Sequence, residues 1–235
     1  MIVETMTYEE ICREYDKIHR EFYAKLEIRL DWDSHTTSKI RRYLLAHKNA
    51  RDVLFKPIKF KVDESTNYYA IPKIPDLKFF EKNGPSVMTF LTHTNNQGVM
   101  AVMRMGYHDD VYFFATRHFF DRFIERFLKE EVSKTEAICQ FFANNTNFVM
   151  TPFPIQDNPN NLIGIADEVV FFGESISPKI LLVKTCITRE MLHSGQFDAR
   201  DLLDESIKLV LKDREILKAL LMNPATSHLN HYKFV

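Results

Sequence analysis

Along residues 8–26 apolar side chains return every three or four positions: Tyr8, Ile11, Tyr15, Ile18, Phe22 and Leu26. That spacing lays one stripe along one side of a helix. A second helical stretch, TTSKIRRYLLAHKNARDVLF, can be capped by Asp33 or Ser34 and places Ile40, Leu44 and His47 on its inward side. The two are expected to pair as an antiparallel hairpin, an N-terminal helical arm over residues 1–55. Lys and Arg on the outer faces, alternating with acids in the first helix, read as solvated surface.

The period then changes. Pro57, Pro72, Pro75 and Pro85 fall between residues 56 and 86, and AIPKIP is expected to be an extended edge segment, because Pro cannot donate to a ladder. SVMTFLTH and GVMAVMRM read as strands flanking TNNQG, a five-residue hairpin loop with Asn and Gly at positive φ. VYFFA is a third strand and runs directly into a helix over 116–130. Ser133-Lys-Thr-Glu136 has the capping-box pattern and opens another helix, to about Ala143. NFVMT, LIGIA, EVVFF and ILLVKTCIT are further short strands, and DARDLLDESIKLVLKDREILKALLM predicts one or two closing helices stopped by Asn223-Pro224.

The expected fold is α+β. An N-terminal helical hairpin precedes an antiparallel sheet of about five to seven strands, with the helix pair 116–143 on one face and C-terminal helices as a cover. Residues 56–235 form the core domain, compact with the arm. Hairpin-type turns between alternating strands, without long strand–helix–strand repeats, argue against a parallel sheet.

Charge and composition narrow the function. The 31 basic and 32 acidic side chains leave a net charge of −1, so any contact with phosphate must be local rather than a coating of nucleic acid. The opening MIVETMTYEE lacks the features of a secretory signal, and VYFFA, VVFF and ILLV are far short of the roughly 18 residues of a membrane span. Cys12, Cys139 and Cys186 are odd in number and widely spaced, as in a reducing compartment. The expectation is a cytosolic protein with no membrane partner. With only 6 Gly there is no phosphate-binding loop, and no Cys-x-x-Cys, His-Glu-x-x-His or Gly-x-Ser-x-Gly occurs, so neither a nucleotide cofactor nor a metal is expected. His108-Asp-Asp110 reads as a turn, and TREMLHSGQ, with His193, Ser194 and Gln196, as a surface loop.

The helix 116–130 holds the candidate chemistry. At about 100° per residue, His118, Asp121, Arg122, Glu125, Arg126 and Lys129 share one side, while Phe119, Phe120, Phe123, Ile124, Phe127 and Leu128 share the other. Phe120, Phe123, Ile124 and Phe127 are expected in the core. The polar side fits a solvated face with Glu125–Lys129 and Arg126–Glu130 pairs. It also fits an anion site: an imidazole in the first turn beside two guanidinium groups has the ingredients of metal-free RNA transesterification. One group removes the 2′-hydroxyl proton, and cations hold the phosphate.

His118-x3-Arg122-x3-Arg126 opening a helix, a second helix capped near Ser133, and antiparallel strands ending in LLVKTCIT resemble bacterial toxin-like ribonuclease domains of the barnase/RelE/colicin-like group. The resemblance spans about residues 111–190. It implies a helical pair on a four-stranded antiparallel sheet, His118 as catalytic acid–base, Arg122 and Arg126 as phosphate ligands, and Thr185 as a contact from the sheet. The whole chain also looks like a family of bacterial proteins with no assigned activity. Two functions are therefore expected: a non-catalytic interaction or regulatory module with a protein or RNA partner, or a metal-independent ribonuclease-like hydrolase.

Overall fold

The computed structural model describes residues 2–30, 34–47, 53–105, 111–129, 131–145, 148–152, 159–167 and 169–191. The expected C-terminal helices, the His108–Asp110 turn and the His193–Gln196 loop lie outside these residues.

The described residues form a mixed α+β fold around a ten-stranded sheet in the order β1-β3-β4-β5-β6-β10-β9-β8-β7, with β2 also on β3. Two antiparallel runs build it. The first comprises β3 (Thr66–Ile74), β4 (Ser86–Asn95), β5 (Gly98–Met105) and β6 (Val111–Ala115). The second comprises β7 (Phe148–Pro152), β8 (Asn161–Ala166), β9 (Val169–Ser177) and β10 (Ile180–Ile187). They meet along β6 and β10, which run parallel. These two central strands are buried on both faces, which is why VYFFA and ILLV read as continuous apolar runs rather than alternating ones.

The expected count of strands was too low because of the proline-rich stretch. It holds β1 (Val53–Leu54), β2 (Ile58–Lys61) and the nine-residue β3, not an edge segment alone. Pro72 is tolerated inside β3 because β2 pairs along it up to Ala70 and β1 begins at Lys73. Its nitrogen falls between the two short ladders, and only its carbonyl is used, accepting from Phe55 N at 3.0 Å. A helix also sits there, α3 (Leu77–Asn83): Asp76 accepts from Phe79 N at 2.7 Å, and Gly84 at φ 73° ends it. The β4–β5 loop is tighter than expected, since Asn95 pairs with Gly98 and only Gly98 adopts positive φ.

Helices cover both faces. α1 (Tyr8–Leu30) buries Ile11, Tyr15, Ile18, Phe22 and Leu26 against Tyr68, Leu91, Val102 and Phe114 of the first run. α2 (Ser34–Ala46) instead packs Leu44 and Ile40 on Ile74 of β3 and Phe80 of α3, so the two N-terminal helices bury their apolar sides in separate clusters. His47 does not face inward as expected; it is exposed, its ring stacked on Tyr43 at 4.4 Å.

On the opposite face lie α4 (Arg117–Phe123), which continues as a π-helical turn over Ile124–Leu128, and α5 (Lys134–Asn144). Ser133 caps α5 by accepting from Glu136 N at 3.2 Å. Phe119, Phe120 and Phe123 are buried with Phe113, Phe141, Phe142 and Phe171 in an aromatic core. Ile124 and Phe127 are only partly buried at its margin. The wider π turn rotates the last residues of the helix out of the phase that a uniform 3.6-residue period assigns to them.

Candidate functional site

The strand-to-helix junction that carries His118 is pinned from three directions. Thr116 N donates to Val183 O at 3.1 Å, Thr116 Oγ1 donates to Lys184 O at 3.3 Å, and the same oxygen caps α4 by accepting from Phe119 N at 3.3 Å. α4 is thereby fixed over β10, and its phenylalanines turn into the core. Arg117, His118, Asp121, Arg122, Glu125 and Arg126 are left on the outer side.

Each arginine there has an internal partner. Arg122 Nη1 donates to Glu125 Oε2, and Arg126 Nη1 donates to the carbonyl of Cys186 on β10. Asp121 is shared by Lys134 at 2.7 Å and Arg117 at 3.4 Å. Glu125 is the focus of the cluster: the hydrogen bond from Arg122 holds its carboxyl below the ordinary range, followed by the charges of Arg122, Arg126 and His118. Of the three residues expected at an anion site, Arg122 is thus held by a carboxylate of the chain itself and Arg126 by a strand carbonyl.

Thr185 stands apart from this group. It pairs with Phe172 of β9, whereas Cys186 pairs with Phe171. Cys186 and Phe171 belong to the aromatic core under α4, while Phe172 and Ile187 pack in a cluster on the other face. Strand alternation puts Thr185 on that other face, away from α4. Burial pushes the Cys186 and Cys12 thiols up to about 12 and that of Cys139 to about 11, so all three are protonated at neutral pH and serve as small apolar groups.

A second cluster of titratable groups lies between α1 and the first run of strands, and nothing in the sequence reading singled it out. Tyr112 Oη of β6 donates to Asp16 Oδ2 at 2.7 Å, and Arg104 of β5 is 3.6 Å from Asp16 Oδ1. One turn on, His19 Nδ1 is 2.8 Å from Tyr68 Oη of β3, with Thr89 Oγ1 at 3.5 Å. Tyr15 Oη reaches Thr89 O at 3.3 Å. Burial raises the Tyr15 and Tyr68 phenols, so both stay protonated donors. The signal available in sequence was Tyr15 and His19 four residues apart within the apolar stripe, with Asp16 at its border. The arrangement bonds Asp16 Oδ2, His19 and the phenols across a buried helix face, leaves Asp16 Oδ1 with only the Arg104 charge, and fixes where α1 sits along the sheet.

The same cluster makes stability depend on pH. Burial, followed by the nearby Arg104 charge, depresses the pKa of His19; burial does the same to His93, which is 4% exposed with its Nδ1 3.1 Å from Thr66 Oγ1. A histidine depressed in the folded state is neutral there while the unfolded chain takes up a proton. Its contribution is complete above the unfolded value of about 6.5 and is lost as pH falls toward the folded value. Thermal melts should therefore fall between about pH 7 and 5, and His19→Gln with His93→Gln should flatten that slope. An equal slope in the double variant would assign the acid sensitivity to other groups.

No family model, no curated protein and no solved structure matches this chain.

Proposed function

We propose that the chain is a non-catalytic interaction module, in which α4 and α5 hold the sheet together and a partner binds elsewhere. One observation carries this reading: on the outer side of α4, Arg122 is bonded to Glu125 and Arg126 to the backbone of β10. A phosphate arriving at His118 would have to displace the carboxylate from Arg122 and compete with a strand carbonyl for Arg126. General acid–base chemistry there would also need a second proton-transfer group beside His118.

The runner-up reading is a metal-independent, ribonuclease-like hydrolase with His118 as acid–base and Arg122 and Arg126 on the phosphate. It is favoured by an exposed imidazole and two guanidinium groups standing on adjacent turns of one helix that opens directly after a strand. Incubation with a labelled RNA oligonucleotide in the presence of a chelator separates the two. The interaction module leaves the RNA intact, with His118→Ala indistinguishable from the parent. Cleavage that survives the chelator and disappears in His118→Ala would replace the first reading with the second.

A further inference from the structure

Among the described residues, the outer side of α2 lies away from the sheet and carries no acid of its own. With Ile40 and Leu44 turned inward, His35, Lys39, Tyr43 and His47 follow one another at four-residue steps with Arg42 beside them, and all five side chains are exposed. No Asp or Glu occurs between Ser34 and His47. Arg41, on the other flank, is paired with Glu81 of α3 at 2.9 Å. Among the ion pairs of the described residues, none joins a carboxylate to Lys39 or Arg42.

The flank also carries an aromatic platform. Tyr43 is 48% exposed, although a tyrosine on an amphipathic helix has apolar surface to bury. The His47 ring lies over it at 4.4 Å and 26°, held by the contact of His47 Nδ1 with Tyr43 O at 2.9 Å. The imidazole is thus fixed beside the phenol rather than turned to the core.

Taken with the non-catalytic reading on which it rests, this combination points to a class of partner: we infer that the α2 flank docks single-stranded nucleic acid. Lys39 and Arg42 neutralise successive phosphates, and the Tyr43–His47 stack takes an unpaired base. Stacked rings beside cations are what a flexible strand with exposed bases complements, because every base has a π-face while the backbone supplies one charge per nucleotide. An acidic protein segment would use the cations and leave the stacked rings without a role. A duplex hides its base faces. With a net charge of −1 the chain has no general basic excess, so the contact is local to this flank.

The test is fluorescence anisotropy with a labelled oligouridylate of about 20 nucleotides. The full chain should bind it more tightly than a duplex of equal length, with affinity falling steeply from about 50 to 200 mM salt. Lys39→Gln with Arg42→Gln should weaken binding at least about tenfold and lower the log–log salt slope by about 1.4. Tyr43→Ser should weaken it about tenfold with the slope unchanged. Lys17→Gln with Lys25→Gln, which removes the same charge from pairs with Glu14 and Glu21 on α1, should leave binding as it was. Melting curves confirm that each variant is folded. Absence of binding at low salt would overturn the inference. So would equal affinity of Tyr43→Ser and the parent, or displacement of the oligonucleotide by polyglutamate with no contribution from Tyr43, which would make the flank an acidic-protein site. Each of these results leaves the non-catalytic reading of α4 standing, whereas chelator-resistant cleavage that depends on His118 overturns that reading and leaves the α2 result intact.

Discussion

Phe141→Ala is expected to cost about 3–5 kcal/mol and to leave little folded protein at ordinary temperature. The side chain is fully buried and stands at the centre of the aromatic layer between α4, α5 and the sheet. Phe119 meets it edge-on at 4.9 Å, Phe142 at 5.2 Å and Phe123 at 5.3 Å, and Phe148 of β7 closes the far side at 6.0 Å. Truncation would remove a ring that touches four others and leave a cavity walled by rings held on three separate elements, so the site cannot collapse by one small shift. Loss of edge-to-face geometry adds to the transfer term. Phe123→Ala, 4% exposed at the margin where the π turn begins, should be costly as well but lies below Phe141. Denaturant unfolding gives both values. A loss below about 1 kcal/mol for Phe141→Ala would mean that α5 does not seat on the sheet through this residue.

The elements with a clean period were legible in the sequence. The stripe on α1 and the caps of α5 depend on local chemistry, and Ile11, Tyr15, Ile18, Phe22 and Leu26 are buried as their spacing implies. Elements that depend on what lies alongside them were not. β3 carries Pro72, and its ladder is possible only because β1 and β2 divide its edge between them, a fact of pairing rather than of the strand's own residues. α3 was overlooked although Asp76 and Gly84 bracket it, since seven residues among prolines give too short a period to stand out. The parallel contact of β6 with β10 joins residues 68 positions apart in the case of Ala115 and Val183, and no local pattern encodes it.

The polar side of α4 was legible as a set of residues but not as a set of bonds. Composition gives cations and acids on one helix side; which cation meets which acid depends on side-chain reach and on the strand beneath. Arg122 lies three residues before Glu125, a spacing visible in sequence, whereas the partner of Arg126 is a backbone carbonyl that only the packing of α4 on β10 brings near. His47 failed for a related reason. A helical period places it near the inward side, but at the last turn of α2 the imidazole has Tyr43 one turn below to stack on.

Arg122 and Arg126, indistinguishable by residue type, are expected to separate on mutation. Arg122→Ala removes an exposed contact with Glu125, which solvent and salt already screen, and should leave the melting temperature nearly unchanged. Arg126→Ala removes a charge-assisted bond to Cys186 O in a half-buried setting and leaves a strand carbonyl at the edge of the core without that donor. Bonds of this kind contribute about 1.5–3 kcal/mol, and the lost packing of the arginine stem adds to it. Arg126→Ala should therefore melt several degrees lower, and Arg126→Lys should recover only part of the loss, because an ammonium keeps the charge but not the guanidinium's planar reach. Calorimetry on the four proteins decides between a tether and an anion ligand. A tether shifts stability without salt dependence and without regard to phosphate. If Arg126→Ala instead melts like the parent, and added phosphate raises the melting temperature of the parent but not of either alanine variant, the side chains are held ready for a ligand and the ribonuclease-like reading gains the site it requires.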